Sequence, residues 1–159
     1  MFTARRFEKK DASEVASLIQ RNFLEVNIKD YSQEEMERLA KKHNAKQVCH
    51  IAENAHMYVI CERDKIIGTG SVKSLNGSLT ESGLVTIFVL PEYQGRGIGR
   101  IIMDTLEQDE LFRRAQRIEI GASITACGFY EKMGYTYKDN RKALDGHGLY
   151  TMVKYRSLV

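Results

Sequence analysis

The 159-residue sequence predicts one α/β domain built on a mixed sheet. Three observations predict it. Apolar residues recur at helical spacing in Val15, Leu18, Ile19 and Phe23, and again in Ile98, Ile101, Ile102 and Leu106. Between these stripes lie β-rich runs, above all Leu84-Val85-Thr86-Ile87-Phe88-Val89-Leu90. The last run is apolar at every position but one, the pattern of a central strand covered on both faces.

The elements follow in order. Phe2 to Phe7 forms a first strand, and Asp11-x-x-Glu14 has the spacing of a capping box that opens a helix. Ser32-x-x-Glu35 repeats that spacing before Met36, Leu39 and Ala40, and Lys41-Lys42-His43 suits the negative end of the second helix. Asn44 to Asn54 fits a short helix or a turn. Met57 to Cys61 and Ile66 to Leu75 read as two arms of a hairpin turning at Arg63-Asp64-Lys65. Asn76-Gly77 marks a tight turn before the central strand. After the helix that carries Ile98, a short strand covers Ile118 to Ile120. A helix carries Ala126, Phe129, Tyr130 and Met133 up to Gly134, and a last strand runs from Gly148 to Tyr155. Crossover helices after the central strands require parallel neighbours there. No boundary interrupts residues 1–159, so a single domain is expected.

Composition excludes several function classes. The net charge of +3 is small and its cations are interleaved with acids, so no nucleic-acid partner is expected. The basic N-terminus is followed by no apolar stretch, and the longest apolar run is far too short to cross a bilayer, so no membrane association is expected. Three cysteines, Cys49, Cys61 and Cys127, do not make a disulfide framework; the expected compartment is the reducing cytoplasm. Cys49, His50, His56 and Cys61 lack the paired spacing of a zinc site, so no metal is expected.

The chemistry-bearing segment is Gln94-Gly95-Arg96-Gly97-Ile98-Gly99-Arg100, between the apolar strand and an amphipathic helix. The first helical turn carries main-chain N–H groups without internal partners at the positive end of the helix dipole. Glycines on alternate residues let that backbone close around an anion such as a pyrophosphate, with Arg96 and Arg100 adding charge. A triphosphate loop needs Gly-Lys-Ser/Thr, but Arg100-Ile101 follows Gly99. A dinucleotide fingerprint from Gly95 or Gly97 needs a third glycine at 100 or 102, where Arg100 and Ile102 stand. Gly121-Ala122-Ser123-Ile124-Thr125 resembles a nucleophile elbow but lacks the final glycine.

Gln94-x-x-Gly97-x-Gly99, its lead-in Val89-x-Pro91-Glu92-Tyr93, and the later segment Ser123-x-x-Ala126-x-x-Phe129-Tyr130-Glu131-Lys132-Met133-Gly134-Tyr135 together resemble the GNAT superfamily of acyl-CoA N-acyltransferases. The resemblance implies a mixed, mostly antiparallel sheet of about six or seven strands flanked by about four helices. In it a splayed parallel strand pair holds coenzyme A. It further implies that Phe88, Val89 and Leu90 pair with the pantetheine arm. The pyrophosphate then lies on the amides of Gly95, Arg96, Gly97, Ile98, Gly99 and Arg100, beside Gln94. Ser123 stands where the family often has an asparagine on the cofactor arm. Tyr130 takes the place of the general acid.

The implied reaction is transfer of an acetyl or other acyl group from acetyl-CoA to a small-molecule or peptide amine by direct attack on the thioester. The same resemblance allows a homodimer, and a non-catalytic acyl-CoA sensor of the same fold is the alternative. No motif supplies the general base; Glu81, entering the central strand, and His147, before the last strand, are the candidates. Asp30, Glu34, Glu35 and Glu37 form an acidic stretch able to face an amine.

Overall fold

In the computed structural model, which describes residues 1–157, all the strands join one seven-stranded sheet in the order β1-β2-β3-β4-β5-β7-β6. These are β1 (Phe2–Arg6), β2 (His56–Glu62), β3 (Lys65–Ser74), β4 (Glu81–Val89), β5 (Arg117–Ala122), β6 (Thr136–Tyr137) and β7 (Tyr150–Tyr155). Six α-helices are interspersed: α1 (Ala12–Glu25), α2 (Gln33–Lys42), α3 (Ala45–Glu53), α4 (Ile98–Glu107), α5 (Glu110–Arg113) and α6 (Cys127–Lys132). Every strand pairing is antiparallel except β4 with β5. The expected mixed, mostly antiparallel sheet is therefore present, with two more helices than expected.

The two capping boxes have different outcomes. Ser32 caps α2, its hydroxyl accepting from the Glu35 N–H at 3.2 Å. Asp11 caps nothing on α1, because its carboxylate is taken by a stronger partner. Arg5 on β1 donates two bonds to it at 2.8 and 2.9 Å, and the Glu8 N–H donates a third at 2.8 Å. Glu14, the other half of that box, accepts instead from the Ile66 N–H of β3 at 2.7 Å. Asn44 starts α3 by accepting from the Gln47 N–H at 2.9 Å, which settles the ambiguous stretch as helix.

The turns obey backbone sterics. Asn76 and Gly77 both have positive φ (49° and 72°), as the tight turn before β4 requires. Gly134 ends α6 at φ 96°, and the Tyr135 N–H closes back on the Tyr130 carbonyl at 3.0 Å. Helix α4 lies on β2 and β3 closely enough that a Cβ at Gly70 would stand 2.5 Å from the Ile102 Cγ2 atom. Helix α1 packs on β3 and β4 and carries α2 and α3.

The parallel pair determines where a ligand can enter. β4 and β5 pair from Glu81↔Arg117 to Leu84↔Ile120 and no further, although both strands continue. Immediately beyond, β4 bulges: Thr69 faces Phe88 and Ser71 faces Val85, so Thr86 and Ile87 oppose a single β3 residue. Thr86 sits at φ 52°, a strained value for a β-branched residue, and its hydroxyl bonds Ser71 Oγ at 2.8 Å and the Val85 carbonyl at 2.7 Å. Residues 85 to 89 are consequently only half-buried, whereas Ser82 to Leu84 are buried. The expectation of a strand covered on both faces holds for its first half alone.

Candidate active site

A cleft of about 950 Å³ opens where β4 leaves β5. Ile87, Phe88 and Val89 form one wall, with the glycine turn at one end. Main-chain alternation fixes which groups face the opening. The Leu90 N–H bonds the Ile67 carbonyl of β3 at 2.8 Å, so the polar groups of the preceding residue, Val89, point the other way, toward the gap. Leu90 itself is buried and its amide is committed; it does not line the cleft, contrary to its expected place beside Phe88 and Val89.

The glycine turn fits an anion. Gly95 and Gly97 adopt φ of 76° and 82°, and Gly97 caps α4 in the left-handed conformation with no side chain supplied. The N–H groups of residues 95 to 100 have no hydrogen-bond partner among the described residues, while those of Gln94 and Ile101 on either side are bonded. Six consecutive unpaired donors at a helix start are a backbone arrangement that favours an anion, a candidate cradle for phosphate oxygens. Arg100 lines this end of the cleft. Arg96 does not: its guanidinium lies 4.5 Å from the Tyr93 ring centroid and 4.0 Å from a Glu62 oxygen. Tyr93 in turn donates to Glu62 at 2.6 Å. Arg96 thus pins the turn from behind, and only its amide faces the cradle.

A buried side chain ties this turn to the strand. Asn22 of α1, 4% exposed, donates to the Val89 carbonyl at 2.8 Å and to the Leu18 carbonyl at 3.0 Å. Its own oxygen accepts from the Gln94 amide at 3.3 Å. Gln94 is therefore engaged with the protein through Asn22. Arg21 adds a more exposed link, bonding Glu92 at 2.9 and 3.0 Å and Glu25 at 2.7 and 3.0 Å. Asn22 was absent from the sequence expectations; its signal was a lone amide inside the apolar stripe of Leu18, Ile19 and Phe23.

Tyr130 lines the cleft from α6, 5% exposed, edge-on to Phe129 (5.2 Å between centroids) and Tyr135 (6.0 Å). Its hydroxyl has no hydrogen-bond partner among the described residues. Burial pushes its pKa well above the ordinary phenol value, which keeps the proton on the oxygen at neutral pH. Ser123 also lines the cleft, at the turn between β5 and α6.

The cleft is also lined by α2, the residues before it and the loop between β6 and β7. Tyr31 joins three segments there: its hydroxyl donates to the Gly148 carbonyl at 2.6 Å and accepts from the Ile124 N–H at 3.2 Å. Gly148, at φ 76°, lies so close that a Cβ would stand 2.9 Å from the Tyr31 ring. Asp145 shapes the same loop by accepting from the His147 and Leu149 N–H groups at 2.8 and 3.0 Å, and His147 reaches the cleft.

The remaining expectations separate clearly. Glu81 stands at the far end of β4, roughly 25 Å along the strand from Val89 at about 3.3 Å per residue. There it pairs with Arg117 at 3.6 Å and takes no part in the cleft. Of the acidic stretch, only Glu35 lines the cleft. Both its oxygens are held by Arg38 at 2.6 and 3.0 Å, and this bonding lowers its pKa, which makes it a poor base. Among the described residues no group of three or more His, Cys, Asp or Glu side chains gathers as a metal site would require, and no helix is long and apolar enough to cross a membrane.

A sheet opened between two parallel strands, with a run of unpaired donors at the mouth of the opening, is the arrangement that these residues build. Residues 27–156 match the family model described as acetyltransferase (GNAT) domain, and the chain belongs to that family. A Bacillus subtilis (strain 168) protein, provisionally named an acetyltransferase, is 30% identical over 80 residues. That alignment covers 50% of this chain and 52% of the relative, so the chain spans about half the length of the curated relative it matches. Among solved structures, the PaiA N-acetyltransferase of Thermoplasma acidophilum, in complex with coenzyme A, superposes with a TM-score of 0.82. It is 15% identical, over 98% of this chain and 99% of that one. A GCN5-related N-acetyltransferase of Rhodopseudomonas palustris gives 0.79 at 22% identity, over 97% and 95%.

Proposed function

We propose that the chain transfers an acyl group, acetyl in the first instance, from acyl-coenzyme A to a primary amine. The observation that carries this reading is the run of unpaired N–H groups at 95–100 opening into the gap beside Ile87, Phe88 and Val89. A diphosphate fits that cradle, and an extended amide-bearing arm fits an exposed strand edge. The coenzyme supplies an activated thioester. Amides of Gly95 to Arg100 and the Arg100 charge bind its phosphates, while the main chain of Val89 and the apolar wall of Ile87 and Phe88 orient its arm. Asn22 already holds the Val89 carbonyl, which leaves the N–H of that residue as the free group facing the gap.

The residues also divide the proton work. As the new C–N bond forms and the C–S bond breaks, the amine loses a proton and the departing sulfur gains one. Tyr130, protonated and with no other partner, donates to the sulfur, a thiolate that otherwise leaves at a cost set by a thiol pKa of about 8.5. His147 is the imidazole that lines the cleft, and it receives the amine proton directly or through water. Calorimetry with coenzyme A and thiol release from acetyl-CoA over an amine panel test the reading. Micromolar binding with amine-dependent thiol release is expected. Absence of affinity for coenzyme A would refute it, and binding without release on any amine would replace it by the sensor reading.

A further inference from the structure

Resting on that reading of the cleft, we infer that its acceptor end selects a primary amine that also carries a carboxylate. The charged side chains decide this. Glu35 is the one carboxylate that lines the cleft, and Arg38 holds both its oxygens through Nε and Nη2. Glu35 therefore offers an incoming ammonium little uncompensated charge. Arg38 retains Nη1, which bonds nothing among the described residues. Lys42 also lines the cleft, and its ammonium has no ion pair among the described residues.

Position adds to charge. Arg38 and Lys42 are four residues apart on α2, so they project from one face of the helix. The imidazole of His147 reaches the same cleft from the facing loop. Asp30, whose Oδ2 is buried without a partner, stands beside Tyr31 and does not line the cleft; the side chains that do are two cations and an imidazole against one neutralised carboxylate, a lining favourable to an anion and unfavourable to a polyamine. A carboxylate fits the guanidinium edge and the ammonium together, by charge-assisted bonds. The amine of the same molecule is then left to point along the cleft toward Tyr130.

The test uses the intact protein with acetyl-CoA and pairs of α- and ω-amino acids, each beside its carboxamide, with putrescine as a dication. Wild type should turn over the acids with kcat/KM at least ten-fold above the amides, carried by KM, and the ratio should shrink as salt rises. Lys42→Gln should lower the ratio several-fold. Arg38→Gln, which also frees Glu35, should bring it to one or invert it. Lys41→Gln, a neighbouring cation outside the cleft, should leave it unchanged. Calorimetry of the same amines on the coenzyme-loaded protein reads the preference even if turnover fails.

Three results would overturn the inference. One is a wild-type ratio near one, or a preference for putrescine, in a protein that releases thiol with some amine. Another is weaker coenzyme A binding in Lys42→Gln with the acceptor ratio intact, which would assign the cation to the phosphates. The third is no amine binding at all on the loaded protein.

Discussion

Tyr130→Phe isolates the proposed acid because the structure predicts a loss of rate with stability unchanged. The hydroxyl bonds no protein group, so its removal orphans no partner. The ring keeps its edge contacts with Phe129 and Tyr135 at 5.2 and 6.0 Å. The melting temperature should therefore stay level, since the oxygen borders the cleft and is not among the sealed, unpartnered atoms of the core. The rate should fall. A positioned general acid contributes roughly 10²–10⁴-fold, about 3–5 kcal/mol of barrier. The sulfur is a moderate leaving group, so the lower part of that range, about a hundred-fold in kcat, is expected. Thiol release at saturating acetyl-CoA measures kcat, and calorimetry checks that coenzyme affinity changes less than about three-fold. A kcat within a factor of three of wild type, with affinity preserved, would refute the assignment and leave Tyr130 as packing.

Three further outcomes are expected. Gly97→Ala meets no atom within 4 Å but must hold φ near 82°, so thermal unfolding should show a loss of about 1–2 kcal/mol, with weaker coenzyme A binding by calorimetry. Tyr31→Phe strands the Gly148 carbonyl and the Ile124 N–H; about 1–2 kcal/mol of stability should go, and the acceptor KM should rise while coenzyme affinity holds. Asp11→Asn removes an anion whose pKa is held below the usual carboxylate value, first by the Arg5 hydrogen bonds. A depressed native pKa adds stability above the unfolded value of about 3.9 and loses it as pH falls through the native one. Chemical unfolding should therefore show a deficit at pH 7 that closes in acid.

The sequence exposed those parts of the fold that local sterics and periodicity specify. Asn76-Gly77, the Ser32 cap and the helical stripes of α1 and α4 each rest on a few neighbouring residues, and each appears where expected. Asp11 misled because a capping signal assumes no better partner, and Arg5 on a different strand supplied one. The run of unpaired donors at the glycine turn was legible, since it follows from position at a helix start. The direction of Arg96 was not, because it depends on Glu62 and Tyr93 gathering from β2 and from the single turn before Gln94. For the same reason the place of Arg38 and Lys42 on the cleft wall stayed hidden. Arg38 and Lys42 look like a solvated helix face until β4 opens beneath them.

That opening follows from a competition along β4. A parallel neighbour of matching length would ordinarily continue the ladder past Leu84↔Ile120, and the side chains there are apolar enough to be buried by it. The bulge at Thr86 prevents this by turning the strand at a conformation that costs a β-branched residue of order 1–3 kcal/mol. The Ser71 hydroxyl and the Val85 carbonyl offset part of that cost, and Asn22 satisfies the Val89 carbonyl left without a strand partner. What the protein forgoes in packing it retains as a half-buried apolar wall with main-chain groups aimed into a gap. Replacing Thr86 by Gly should relieve the strain but orphan the buried Ser71 hydroxyl, so the melting temperature should change little while coenzyme affinity falls as the wall loses its direction.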